Sequence, residues 1–149
     1  MIRILVLCTG NSCRSQMAEG FLKKIIFERK LNAEVFSAGI EAHGLNPYAI
    51  KVMNEVGIDI SGHQSKSLDD LYRSFPFSSS ENQSFDYLIT VCDNARESCP
   101  VFLNAKSKIH RSFPDPALHQ GPEEQKLGAF RKVRDDIGAF CDSFPTELF

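Results

Sequence analysis

A chain of 149 residues, 42% of them hydrophobic, has enough apolar surface for one ordinary core. Its net charge of −2 excludes a basic nucleic-acid-binding tail and a disordered chain as the main theme. No apolar run approaches the ~20 residues of a membrane span, and Met1-Ile2-Arg3 lacks the features of a signal peptide. The expectation is a single domain over residues 1–149, in the cytoplasm, with neither membrane nor nucleic acid as partner. An odd count of five cysteines in a reducing compartment argues against a disulfide framework and toward catalytic or redox thiols. There is no Cys-x2-Cys pair, and His43, His63, His110 and His119 show no ligand-like spacing. No metal is expected, and each histidine reads as a loop or surface residue.

Strands and helices alternate along the chain. The run Ile2-Arg3-Ile4-Leu5-Val6-Leu7 reads as a buried parallel strand. Met17, Ala18, Phe21, Leu22, Ile25 and Ile26 recur at helical spacing, which predicts a helix over 15–30. A second strand fits 33–37, ended by Ala38-Gly39. Pro47 suits the first turn of a helix that runs to about Val56, with Gly57 as its stop. A loop over 58–67 and a short helix over 68–73 follow. Residues 74–84, with Pro76, three consecutive serines and Asn82, read as a mobile surface insertion. Asp86–Val91 is a third strand that ends at Cys92, and Ile109 marks a short fourth. Leu127, Phe130, Val133, Ile137, Phe140 and Phe144 form the stripe of a long last helix. Such alternation predicts a parallel sheet with helices on both faces. Sites in these sheets lie at the carboxyl ends of the strands. Cys8, Cys92 and Asp115 therefore meet at one edge.

Between the first strand and helix stands Cys8-Thr9-Gly10-Asn11-Ser12-Cys13-Arg14-Ser15. Backbone N–H groups of such a loop, and of the helix's first turn, are free to face an anion. Arg14 adds a planar fork of donors. Thr9, Gly10, Asn11, Ser12, Cys13 and Arg14 are thus candidates for binding an oxyanion. The same field favours the thiolate of Cys8, which makes Cys8 the candidate nucleophile. Ser15 can donate a hydrogen bond to it. The alternative is a small buried cysteine at a strand end, but Gly10 and Asn11 shape a turn that mere packing does not require.

Cys92 and Cys99 flank a polar loop, Asp93-Asn94-Ala95-Arg96-Glu97-Ser98. If strands one and three are neighbours, with axes about 4.8 Å apart, Cys92 can reach Cys8 with modest movement. Seven residues of straight helix span about 10.5 Å, beyond the roughly 4.4–6.8 Å that a disulfide accepts between Cα atoms. An oxidised Cys92–Cys99 pair must therefore bend or unwind its segment. The alternative is two unrelated packed cysteines. Cys13 reads as a packing residue and Cys141 as core.

With these residues in place, the chain resembles the thioredoxin-coupled arsenate reductases, which share the fold of the low-molecular-weight protein tyrosine phosphatases. The resemblance is carried by residues 8–20, Ser37-Ala38-Gly39, Asn46-Pro47, Asp59-Ile60-Ser61, Cys92, Cys99-Pro100 and Asp115-Pro116-Ala117. It implies a four-stranded parallel sheet in the order 2-1-3-4. It also implies a relay of three thiols: Cys8 attacks arsenate, Cys92 attacks Cys8, and Cys99 attacks Cys92. Asp115 acts as general acid, although an Asp-Pro turn alone also accounts for it. Arsenate is the implied substrate and thioredoxin the implied reductant of a monomer that needs no cofactor.

Two departures stand out. Phosphatases of this fold usually carry tyrosines after the Asp-Pro pair, where this chain has Ala117-Leu118-His119. Some reductases of the family hold potassium with an asparagine, a glutamate, a serine and an aspartate. Asn11, Glu19 and Ser37 match, and Lys66 stands at the aspartate's place, where its ammonium would sit among those three as a tethered cation. A phosphatase that uses only Cys8, Arg14 and Asp115 is the competing enzyme. Residual phosphatase activity is expected of a reductase with the same cradle, since phosphate and arsenate are alike in shape and charge. A redox-sensing module built on Cys92 and Cys99 is the non-enzymatic alternative.

Overall fold

A computed structural model describes residues 1–74, 85–93 and 105–144. Its four strands are β1 (Ile2–Cys8), β2 (Ala33–Gly39), β3 (Phe85–Thr90) and β4 (Ala105–His110). They form one parallel sheet in the order β2-β1-β3-β4, as the resemblance implies. Ile4, Leu5, Val6 and Leu7 of β1 are all fully buried. Successive side chains of a strand point to opposite faces, so both faces of the sheet are covered.

The helices are α1 (Arg14–Glu28), α2 (Pro47–Asn54), α3 (Leu68–Ser74) and α4 (Glu123–Asp142). Helix α1 stops short of its expected end at Lys30, because Lys30 takes a left-handed φ of 53°. Asn46 caps α2 by accepting the Tyr48 N–H at 2.8 Å, with Pro47 in the first turn. Gly57, at φ 79°, turns the chain away. A reciprocal cap starts α3: Ser67 Oγ accepts the Asp70 N–H at 3.1 Å, and Asp70 Oδ2 accepts the Ser67 N–H at 3.2 Å.

The stripe of α4 is buried at Leu127, Phe130, Val133 and Ile137. Phe140 meets Phe113 edge-on with ring centroids 5.9 Å apart. Phe144 lies just beyond the helix and packs edge-on against Tyr87 at 5.1 Å. Cys141 is fully buried, and burial pushes its thiol up to about 12, so it belongs to the core. Residues 75–84, nearly all of the expected insertion, lie outside the described residues, as does Cys99. Among the described residues no helix is long and apolar enough to cross a membrane, and no cluster is placed to hold a metal ion.

The register fixes where chemistry can gather. Cys8 pairs with Gly39, Leu7 with Thr90, and Thr90 with His110. All four strands therefore deliver their carboxyl ends to one edge.

Candidate active site

At that edge lies a cavity of about 140 Å³ lined by Cys8, Thr9, Gly10, Ser12, Cys13, Arg14, His43 and Asp115. Cys8 reaches it from the end of β1, and Arg14 from the first position of α1. Met17 N–H makes the bond to Cys13 carbonyl that opens the helix, at 2.9 Å, so the first-turn donors precede the intrahelical ladder. The Arg14 guanidinium donates from Nη1 to the Phe113 carbonyl at 3.0 Å, and its Nη2 lies 3.6 Å from Asp115 Oδ2. The fork is thus anchored at one end and aimed by a carboxylate at the other. Asp115 Oδ1 also accepts the Ala117 N–H at 3.0 Å. The Asp-Pro turn is real, and it holds the carboxyl at the cavity. A larger groove of about 770 Å³ between α1 and β2, lined by Phe27, Leu31 and Phe36 among others, carries no nucleophile.

Asn11 is not part of the cavity wall. It is fully buried, with φ at 48°, a left-handed conformation that asparagine tolerates better than most residues. Its amide orientation follows from its partners. Oδ1 accepts the Lys66 backbone N–H at 3.0 Å, so Nδ2 is the group that faces Ser15 Oγ at 2.8 Å and Ser37 Oγ at 2.9 Å. Ser15 Oγ, already accepting from Asn11, keeps its own proton for Cys8 Sγ, 2.8 Å away. The network thus presents a donor to the Cys8 sulfur.

Behind Asn11 stands a second layer. Gln16 Nε2 donates to Asn11 Oδ1 at 2.8 Å and to the Gln64 carbonyl at 3.0 Å. Its Oε1 faces His63 Nδ1 at 3.0 Å, and the same nitrogen lies 2.8 Å from Glu19 Oε2. Two acceptors around one ring nitrogen require it to carry a proton. Burial opposes ionisation of Glu19, yet the His63 hydrogen bond and the charges of Lys23, His63 and Lys66 outweigh it and hold the carboxyl below its ordinary range.

The geometry corrects the expected role of Lys66. Its ammonium donates to the Gln64 carbonyl at 3.1 Å instead of sitting among Glu19, Asn11 and Ser37. The backbone N–H of Lys66 makes the contact to Asn11, and its charge acts on Glu19 at longer range. The groups touching Glu19 are His63 and Lys23, the latter at 3.4 Å. A potassium ion does not fit this set. Asn11 Oδ1 already accepts two N–H groups, Ser37 Oγ accepts from Asn11, and Glu19 Oε2 already meets His63 Nδ1 and Lys23 Nζ.

Cys13 lines the cavity, but its surroundings favour the neutral thiol. Burial pushes its thiol up to about 11, only partly opposed by a hydrogen bond from Ser12. Cys92 is buried two residues beyond β3, with its thiol 3.2 Å from Thr9 Oγ1 in the loop itself. The sheet edge thus brings together Cys8, Arg14, Ser15, Asp115 and Cys92.

Sequence reasoning missed Gln16 and His43 and underrated His63. The ring of His43 lies over Gly10, where an added Cβ would collide with it, and its Nε2 is 2.6 Å from Glu41 Oε2. Glu19, already singled out by the resemblance, and Gln16 both sit on the first two turns of α1, whose residues from Ser15 to Gly20 are all buried. An apolar stripe does not reveal which polar neighbours share its burial.

The family model for low molecular weight phosphotyrosine protein phosphatase matches residues 3–148. An arsenate reductase of Halalkalibacterium halodurans is 45% identical over 141 residues, covering 95% of this chain and 93% of its own. That of Bacillus subtilis is 47% identical over 135 residues, covering 91% and 88%. A solved structure of an arsenate reductase in the phosphate-binding state has a TM-score of 0.72 at 30% identity and covers 100% of each chain. With this fold, this cradle and these relatives, the chain belongs to the low molecular weight phosphotyrosine protein phosphatase family, and the relatives named here are that family's arsenate reductases.

Proposed function

We propose that this protein reduces arsenate to arsenite through Cys8, Cys92 and Cys99, with thioredoxin as the final reductant. The observation that carries the reading is the hydrogen bond between Cys92 and Thr9, which holds a second thiol at the rim of the oxyanion loop. Phosphoester hydrolysis needs no such thiol. Reduction does, because two electrons must come from sulfur.

The Cys8 thiolate, hydrogen-bonded by Ser15, attacks arsenic while Arg14 and the loop N–H groups hold the oxygens. Asp115 gives a proton to the departing oxygen, which leaves as water, and an S–As bond remains on Cys8. Cys92 then attacks Cys8 Sγ. The new S–S bond forms as the S–As bond breaks, and its electron pair stays on arsenic, which leaves as arsenite. Cys99 attacks Cys92, which frees Cys8 as thiolate and leaves a Cys92–Cys99 disulfide. The dithiol of thioredoxin reduces that disulfide and is oxidised in turn. The 45–47% identity to arsenate reductases over nine-tenths of the chain supports the substrate.

The test is arsenite release in the presence of thioredoxin, its reductase and NADPH, run beside a phosphatase assay on an aryl phosphate. One NADPH consumed per arsenite, lost in Cys8→Ser, is expected. Hydrolysis of the ester without any arsenate-dependent NADPH consumption would instead make the protein a phosphatase.

A further inference from the structure

Beyond β3 the chain that carries Cys92 is held by a side chain from the neighbouring strand. The backbone pairing ends with Val91 N–H on the Leu7 carbonyl at 3.1 Å and Phe113 N–H on the Val91 carbonyl at 3.0 Å. His110, at the end of β4, then spans Cys92. Its Nδ1 lies 2.7 Å from Thr90 Oγ1 and its Nε2 lies 2.9 Å from Asp93 Oδ1. The imidazole thus ties the residue two before Cys92 to the residue just after it. A carboxylate accepts only, so Nε2 is the donor to Asp93, and Nδ1 is left to accept the Thr90 hydroxyl proton when the ring is neutral. Thr90 is 6% exposed, which keeps that end of the bridge away from competing water.

We propose that His110 is a positioning residue for Cys92: it sets the approach of the Cys92 thiol to Cys8 and takes no part in holding the oxyanion. The assignment rests on the thiol-relay reading of the site. The cavity that holds the anion is lined by residues from the first loop, His43 and Asp115, and His110 is not among them. Its effect therefore falls on the sulfur–sulfur step alone. In that step Cys92 sulfur bonds to Cys8 sulfur, and the electron pair of the broken S–As bond reduces arsenic. Misplacing a reacting atom by about 1 Å can cost roughly 100-fold in such a step.

The experiment uses the full chain carrying Cys99→Ser, which halts the relay at the Cys8–Cys92 disulfide. Arsenate is added without thioredoxin, and disulfide formation is followed by peptide mapping. Protection of Cys8 from iodoacetamide by inorganic phosphate reports on the cradle. His110→Ala should slow disulfide formation at least tenfold and leave phosphate protection unchanged. His110→Gln keeps an N–H donor and a carbonyl acceptor on one planar group, and should restore the rate to within about threefold. A His110→Ala rate equal to its parent, loss of phosphate protection in step with the rate, or no rescue by glutamine would each overturn the proposal. If the parent with His110 intact forms no Cys8–Cys92 disulfide while phosphate still protects Cys8, the relay itself fails, and the role of His110 with it.

Discussion

Ser15 Oγ lies 2.8 Å from Cys8 Sγ while accepting a hydrogen bond from Asn11 Nδ2, also at 2.8 Å. The Lys66 backbone N–H on Asn11 Oδ1 leaves that amide no other orientation. The direction of the proton on Ser15 is thus set by a main-chain donor on a separate loop.

Ser15→Ala removes a hydrogen bond to the reacting thiolate, an interaction worth about 1.5–3 kcal/mol when one partner is charged. Alkylation of Cys8 by iodoacetamide at pH 7 should slow about tenfold or more. Equal rates in the two proteins would mean that Ser15 does not support the thiolate.

Asp115→Asn should lower turnover on an ester with a poor leaving group by about 100-fold or more, the usual range for losing a general acid. On an ester whose leaving group departs readily as an anion, the loss should be much smaller. The comparison needs two aryl phosphates of different leaving-group acidity. A uniform loss on both would recast Asp115 as a residue that only orients Arg14, 3.6 Å away.

The sequence carried the sheet, the loop and the place of Cys8 because each is written in local pattern. A short apolar run becomes β1, a 3.6-residue stripe becomes α1, and the loop between them has room for little else. What it did not carry is the layer beneath the loop. Gln16, Glu19 and His63 meet only because the loop ending at Lys66 folds back over α1, where Gly39 N–H bonds the Lys66 carbonyl at 2.9 Å. No periodicity encodes that return. Placing the ammonium of Lys66 among Glu19, Asn11 and Ser37 failed for the same reason: the position was right, but the backbone and not the side chain faces Asn11. His110 likewise read as a peripheral histidine, since its partners Thr90 and Asp93 lie on the adjacent strand's end.

Glu19 makes a pH-dependent contribution whose sign is fixed. Its carboxyl titrates below the ordinary 4.5, so the stabilisation is complete above that value and is lost as pH falls through the lowered one. Urea midpoints of wild type and Glu19→Gln should differ most at neutral pH and converge as pH falls below about 4.5. A constant difference down to pH 3 would show that the charge of Glu19 is irrelevant. Because His63 and Lys23 already meet that charge, exchanging potassium for sodium at fixed ionic strength should leave activity unchanged.

Gly39 ends β2 where three backbones converge. A Cβ there would stand 2.8 Å from Asn11 N and 2.8 Å from the Thr9 carbonyl, and closer still to the Glu41 carbonyl. None of these is a flexible side chain that can move aside. Gly39→Ala should therefore destabilise by about 2 kcal/mol or more, as overpacking at a site that cannot relax does, and should impair the oxyanion loop it presses on. An unchanged denaturation midpoint would show that the 8–15 loop is looser than its hydrogen bonds suggest.

The most direct test is a single turnover. Reduced protein receives arsenate in the absence of thioredoxin, and arsenite is counted beside the disulfides found by peptide mapping. One arsenite per chain, with a Cys92–Cys99 disulfide and Cys8 again a free thiol, is the predicted result. No arsenite from the protein alone, with release only after an external thiol attacks Cys8, would contradict the internal relay.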